Sequence, residues 1–327
     1  MLRLFVRNNG SLEAGACDLA SVPMKPAGAA WYDLFNPTPE EDRFVSESLG
    51  IDIPTREEMQ DIEPSARLYK EAGAEFMTMT AMTNLDTDAP VKSPITFVLR
   101  EDILVTVRYS DPKPFKLFLV RATKPGGLPN GGGEAVMLGL IEAFIDRLAQ
   151  ILETASDEID HISHEVFRSR AERRAPHDLQ STIERIGRKG ELLTFARESL
   201  LSILRLTSFH QAGGEGKKVT AAFKQEAKTL QRDATALADH AAYLSNKVNF
   251  LLDATLGLIN LEQNQIIKIF TVASVAFLPP TLVASVYGMN FDFMPELKWA
   301  FGYPLAVIIM IASAALPLVY FKRRGWL

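Results

Sequence analysis

From Ile269 to Phe291 the chain has no acidic, basic, histidine or cysteine residue. A charge-free apolar stretch of about 20 residues is what a helix needs to cross a bilayer. The same absence excludes, within that stretch, the tight nitrogen or sulfur coordination expected of zinc or copper. Cysteine is nearly missing: Cys17 stands alone, so no intramolecular disulfide forms, which suits a reducing compartment. Basic residues are outnumbered, 35 Lys and Arg against 40 Asp and Glu, and the net charge of −5 argues against nucleic acid as a partner. The opening MLRLFVRNNG lacks the long apolar core of a secretory signal, which predicts a cytoplasmic N-terminal region. Proline is absent from Lys217 to Leu278, leaving room for one long helix. No Ser-His-Asp set, paired-carboxylate motif or Cys-His cluster points to catalysis, so an enzyme is not expected.

With 327 residues, more than one structural unit is expected. The first third reads as an α+β region, a mixed sheet with helices on its faces. Short apolar runs at Leu2–Val6, Trp31–Phe35, Phe76–Met82, Ile95–Leu99 and Ile103–Val107 predict strands, the last two forming a hairpin about Arg100-Glu101-Asp102. Thr38 before Pro39-Glu40-Glu41 and Thr55 before Arg56-Glu57-Glu58 predict helix starts. Lys124 to Gly133, rich in Pro and Gly, lacks the Lys-Ser/Thr pair of a nucleotide loop and reads as a flexible connection.

Apolar residues at helical spacing then predict long helices from Glu134 to about Arg174, ended by Pro176, and from about Asp178 to Gln211. Within the first, His161 and His164 stand beside Asp160 and Glu165, a spacing able to hold a metal but read here as a solvated polar face. After Gly213-Gly214-Glu215-Gly216, the residues Phe223, Leu230, Leu237, Leu244, Leu251 and Leu258 recur every seven positions, a seam for side-by-side helices. That third helix runs into the apolar stretch without a break. The expected domains are therefore a cytoplasmic α/β domain over 1–132, long cytoplasmic helices over 133–264, and a membrane hairpin over 265–327 with spans about 266–287 and 303–321. Lys322, Arg323 and Arg324 follow the second span, whereas the loop holds Asp292 and Glu296 against Lys298, so both termini are expected in the cytoplasm.

On the first span, Asn264, Ile267, Thr271, Ser274, Leu278, Thr281, Ser285 and Gly288 lie three or four apart and share one stripe. Small and hydroxylated residues on one face either let membrane helices approach closely or line a polar path. Pro279-Pro280 should weaken or kink the helix and free carbonyls there, or merely adjust its packing.

Tyr287-Gly288-Met289-Asn290-Phe291 at the end of the first span, Met294-Pro295-Glu296-Leu297 in the loop, Gly302-Tyr303-Pro304 opening the second span and the basic tail together resemble the CorA magnesium-channel family. The similarity is close from about Asn264 onward and covers the layout of the whole chain. It implies a homopentamer in the cytoplasmic (inner) membrane, whose partners are its own copies and the lipid bilayer. Its cargo would be hydrated Mg²⁺, with Co²⁺ or Ni²⁺ as further ions, and no organic cofactor is implied. The resemblance makes the stripe, with Phe270, a pore lining, and makes Gly288, Met289 and Asn290 a selectivity ring in which Asn290 meets the hydrated ion. Apolar constrictions fall on Ile267, Phe270 and Leu278; the first two depart from the Met and Leu of the family, and Ser285 stands for a small glycine. Regulatory Mg²⁺ would sit on cytoplasmic acids, for which Asp233, Asp253, Asp86 and Asp88 are candidates and Asp239 a further long-helix acid, although the family's long-helix sensor position aligns with Thr229. Such exposed carboxylates are otherwise simply solvated. Two rivals stay open: a Zn²⁺ transporter of the same superfamily, and a membrane-anchored cytoplasmic sensor without transport.

Overall fold

The computed structural model describes residues 1–15, 26–61, 63–84, 90–128, 132–167, 179–212, 221–290 and 294–326. The chain forms two compact units, Met1–Leu252 and Asp253–Leu327.

The first unit is built on a seven-stranded mixed sheet of order β2-β1-β3-β7-β6-β5-β4. The five expected strands are β1 (Leu2–Asn8), β3 (Ala29–Phe35), β5 (Ala74–Thr83), β6 (Val91–Arg100) and β7 (Ile103–Arg108). β3 and β7 run parallel while the other neighbours are antiparallel, and β6 and β7 form the expected hairpin, its turn made by Glu101 at φ 54°. The strands missed are β2 (Ser11–Ala14) and β4 (Leu68–Glu71), four polar-rich residues each at the two edges of the sheet.

Alternation along the strands splits the core in two. Tyr32, Leu34, Val105 and Val107 face one way and pack with Val45 and Leu49 of α1 (Pro39–Leu49). That helix begins as expected: Thr38 accepts from Glu41 N, and the Glu41 side chain accepts from Thr38 N, a reciprocal cap. Thr55 and Glu58 make the same reciprocal bonds. There the expected helix shrinks to a single 3₁₀ turn, Glu58–Gln60, because Pro64 disfavours helical backbone just ahead of it. Pro64–Arg67 forms the short α2.

On the opposite face Trp31 stacks on Phe5 at 4.6 Å and meets Phe115 and Phe118 of α3 (Lys113–Ala122). Asp33 and Arg108 face the same way, fully buried and joined by paired 2.9 Å bonds, and Thr106 hydroxyl donates to Asp33 while accepting from the Trp31 indole. Next come α4 (Gly133–Phe167) and α5 (Leu179–Ala212), which pack on the sheet and on each other. The glycine-rich approach to α4 is docked rather than flexible in its described parts. Leu128 is buried and its N–H donates to Gly10 O, and a Cβ on Gly133 would stand 2.3 Å from Leu104 N. Only glycine lets the helix start so close to β7. The expected ends at Arg174 and Pro176, and the turn at Gly213–Gly216, lie outside the described residues.

α6 (Ala221–Tyr287) is one unbroken helix of 67 residues, with Pro279 and Pro280 inside it. Of the expected seam, Leu230, Leu244 and Leu251 are buried, while Phe223, Leu237 and Leu258 are half-buried. Between them runs a second heptad row, Ala227, Ala234, Ala241 and Val248, also buried. The packed face therefore joins a row of leucines to a row of mostly small residues.

Candidate ion-conduction site

The second unit holds the C-terminal part of α6 and α7 (Gly302–Arg323), joined through a 3₁₀ turn at Pro295–Lys298. Among the described residues two helices are long and apolar enough to cross a membrane, and these are they. Within the unit Val272 and Ala276 of α6 and Gly302 and Ala306 of α7 are buried. The hairpin thus spends one face of α6, and the others stay open.

Those open faces differ in chemistry. One, next to the buried Val272 and Ala276, carries Ile269 and Phe277, bulky apolar side chains at 62% and 73% exposure, suited to lipid tails. The other is the expected stripe: Asn264, Ile267, Thr271, Ser274, Leu278, Thr281, Ser285 and Gly288 are all exposed, as is Phe270. None of the stripe is consumed by packing within the chain. Thr281 hydroxyl donates to Phe277 O at 2.7 Å, leaving its oxygen lone pairs turned toward whatever meets that face. Pro279 and Pro280 have no N–H, so the carbonyls of Val275 and Ala276 lose their helical partners even though the helix continues.

At its far end α6 closes with Gly288 N–H bonded to Ala284 O and Met289 N–H to Val286 O. A Cβ on Gly288 would press to 3.1 Å of the Ala284 carbonyl, so glycine fits this tight last turn. Met289 and Asn290 follow, both exposed; Phe291 lies outside the described residues.

The other end of this apolar stretch has a feature that residue spacing did not reveal. Lys268 Nζ sits 5.8 Å over the Trp326 ring, which stacks on Phe321, and a cavity of about 670 Å³ opens beside Asn264, Ile267, Lys268 and Thr271. A lone lysine at the foot of an apolar span, with a tryptophan in a basic tail, is the signal of a membrane–water boundary.

The candidate regulatory acids are less gathered. Asp86 and Asp88 lie outside the described residues. Asp253 and Asp239 are exposed. Thr229 hydroxyl donates back to Gln225 O, an ordinary helix bond. Asp233 is half-exposed and 3.4 Å from Arg232, and it belongs to a zone of acids on α4 and α6. There burial, with Glu142 and Asp233 adding repulsion against the pull of Arg121, raises the Asp146 carboxyl above its ordinary range. Burial together with Glu142 and Glu134 does the same to Glu226. Among the described residues no three His, Cys, Asp or Glu side chains converge as a metal cluster. His161 is exposed and pairs with Glu165 at 3.2 Å.

The model of the CorA-like Mg²⁺ transporter protein family matches residues 26–323. This chain belongs to the CorA-like Mg²⁺ transporter family. Among curated CorA relatives, the magnesium transport protein of Salmonella typhimurium is 37% identical over 302 residues, covering 91% of this chain and 92% of the relative. The CorA of Escherichia coli K12 is 36% identical over 301 residues, with the same coverage. Among solved structures, the complete CorA magnesium transporter of Methanocaldococcus jannaschii superposes with a TM-score of 0.77 over 100% of this chain and 99% of its own, at 20% identity. The CorA fold thus extends over both units, sheet and hairpin alike.

Proposed function

We propose that this chain forms a homopentameric channel in the cytoplasmic membrane, both termini inside, that passes hydrated Mg²⁺ into the cell, with Co²⁺ and Ni²⁺ as lesser cargo. The observation that carries the reading is the stripe from Asn264 to Gly288, left open by the hairpin and opposed in character to the lipid-suited face. Five copies placing this stripe on one axis line a path with amide, hydroxyl and small side chains. Mg²⁺ sheds its water reluctantly and takes oxygen partners, so a ring of Asn290 carboxamides and Gly288–Met289 backbone carbonyls holds it through its water shell. The lining has no carboxylate, which keeps the ion from binding too tightly to leave. Ile267, Phe270 and Leu278 supply apolar rings that close by excluding water. The membrane potential supplies the drive: about 4.6 kcal/mol per divalent ion per 100 mV, twice the single-charge value. Internal Mg²⁺ closes the channel through the acids around Asp233, whose mutual repulsion a divalent cation relieves.

Purified protein in liposomes tests this. Mg²⁺ entry should follow an imposed inside-negative potential and need no proton gradient, and Asn290→Ala should cut it at least tenfold with the oligomer intact. Zinc flux coupled to protons would replace the reading with a Zn²⁺ transporter. Normal Mg²⁺ flux through Asn290→Ala would remove the selectivity ring, and no flux of any ion would leave a tethered sensor.

A further inference from the structure

A cavity of about 590 Å³ opens within the first unit, walled by the end of α2, the β5–β6 pair and α5. Its lining holds three cations, Arg67, Lys92 and Arg205, against one carboxylate, Glu198, leaving two positive charges uncompensated in a chain whose net charge is −5. Lys92 spends itself locally, 2.9 Å from Glu198 and 4.9 Å from the centre of the Phe195 ring. Arg67 is anchored: its Nε donates to Asp61 O and its Nη1 to Thr80 Oγ1 at 3.0 Å, which leaves the rest of its guanidinium fork free of those bonds. Arg205 is exposed and has no hydrogen-bond or ion-pair partner among the described residues.

The floor of the cavity excludes one alternative occupant. β4 pairs with β5 only from Ala74 to Met77, so the outer edge of β5 beyond Met77 is bare of a strand. Ser202 of α5 fills that edge, its hydroxyl accepting from Thr80 N at 3.1 Å and donating to Ser199 O at 2.7 Å. An added strand would lose the Thr80 N–H it needs. What remains unspent is the pair of arginines, with Leu201 and Pro94 as an apolar wall beside them.

We infer that this cavity binds a dianionic phosphate monoester the size of a nucleoside monophosphate, its phosphate between Arg67 and Arg205 and its organic part against Leu201 and Pro94. Arginine forks match phosphate oxygens in pairs. A phosphate monoester carries about −1.5 to −2 at neutral pH, which matches the two free charges. The cavity also falls within the roughly 300–1,000 Å³ of small-molecule sites.

The test is equilibrium dialysis of labelled AMP against the purified full-length protein in Mg²⁺-free buffer, with adenosine and inorganic phosphate in parallel. AMP chelates Mg²⁺ weakly, so the outcome is independent of whether the protein transports that ion. Saturable AMP binding is expected, with no binding of adenosine and weaker binding of phosphate. Arg205→Ala should weaken AMP at least tenfold, the loss expected for one charge-assisted contact, without moving the unfolding midpoint of the ligand-free protein. Absence of AMP binding, or AMP binding unchanged in both Arg205→Ala and Arg67→Ala, overturns the site. Phosphate binding as tight as AMP overturns the nucleotide-sized assignment.

Discussion

His210 shows how one side chain can tie three elements together. Its Nδ1 lies 2.7 Å from Glu75 of β5 and its Nε2 2.8 Å from Glu134 in the first turn of α4, while His210 itself closes α5. Burial alone would lower its pKa, but hydrogen bonds and charge attraction from both carboxylates outweigh it and raise the group to about 9. Glu75 is pulled the other way: burial would raise its carboxyl, but the His210 and Lys70 contacts hold it below its ordinary value. A pKa raised from 6.5 contributes stability that is complete below pH 6.5 and is lost as pH climbs through about 9. The unfolding midpoint of the purified protein should therefore fall between pH 7 and pH 10, and His210→Gln should flatten that fall. The Asp33–Arg108 pair is the second residue-scale test. Both partners are buried, so Asp33→Ala leaves a charge stranded and should cost about 3–5 kcal/mol by denaturant unfolding. Neither arrangement was legible in the sequence, because Glu75 and His210 stand 135 residues apart and nothing local marks them as partners.

At the scale of elements, periodicity and caps read well where a segment's own residues decide its shape. Thr38 and Glu41 start α1 by themselves, and the β-branched runs Ile95–Leu99 and Ile103–Val107 make a hairpin about the turn between them. Thr55 carried the same signal and yielded one turn, since a cap can begin a helix but cannot sustain it toward a proline. The seam of α6 was half legible. Its leucines announce themselves, whereas Ala227, Ala234 and Ala241 read as neutral helix formers until the structure shows them buried. Leu244→Ala should cost about 2–5 kcal/mol by leaving a cavity. Ala241→Leu should cost about 1–3 kcal/mol by forcing the helices apart, and both are checked by denaturant unfolding.

For the whole molecule, the open stripe of α6 and its lipid-suited face make opposite predictions. In a Cys17→Ser background, Ser274→Cys should react with a membrane-impermeant thiol reagent and lose Mg²⁺ flux on labelling. Phe277→Cys, 73% exposed in the single chain, should stay unlabelled because lipid covers it. Equal labelling of the two would place Ser274 outside a water-filled path. Chemical cross-linking in the membrane should stop at five copies, and a ladder that ends elsewhere would change the ring size while leaving the stripe in place.

The sequence by itself determined the two apolar stretches, the Gly288-Met289-Asn290 end of the first and its freedom from charge from Ile269 onward, since hydrophobic length and missing charge are properties of a continuous stretch. It also determined the main strands and the long helices, through their own periods. Only the tertiary structure decided which face of α6 the hairpin spends. It alone showed that the glycine-rich approach to α4 is docked, and it alone brought Glu75, Glu134 and His210 together. The physical reason is the same in each case: burial and pairing depend on what lies opposite a residue in space, and the chain's local pattern carries no record of its distant neighbours.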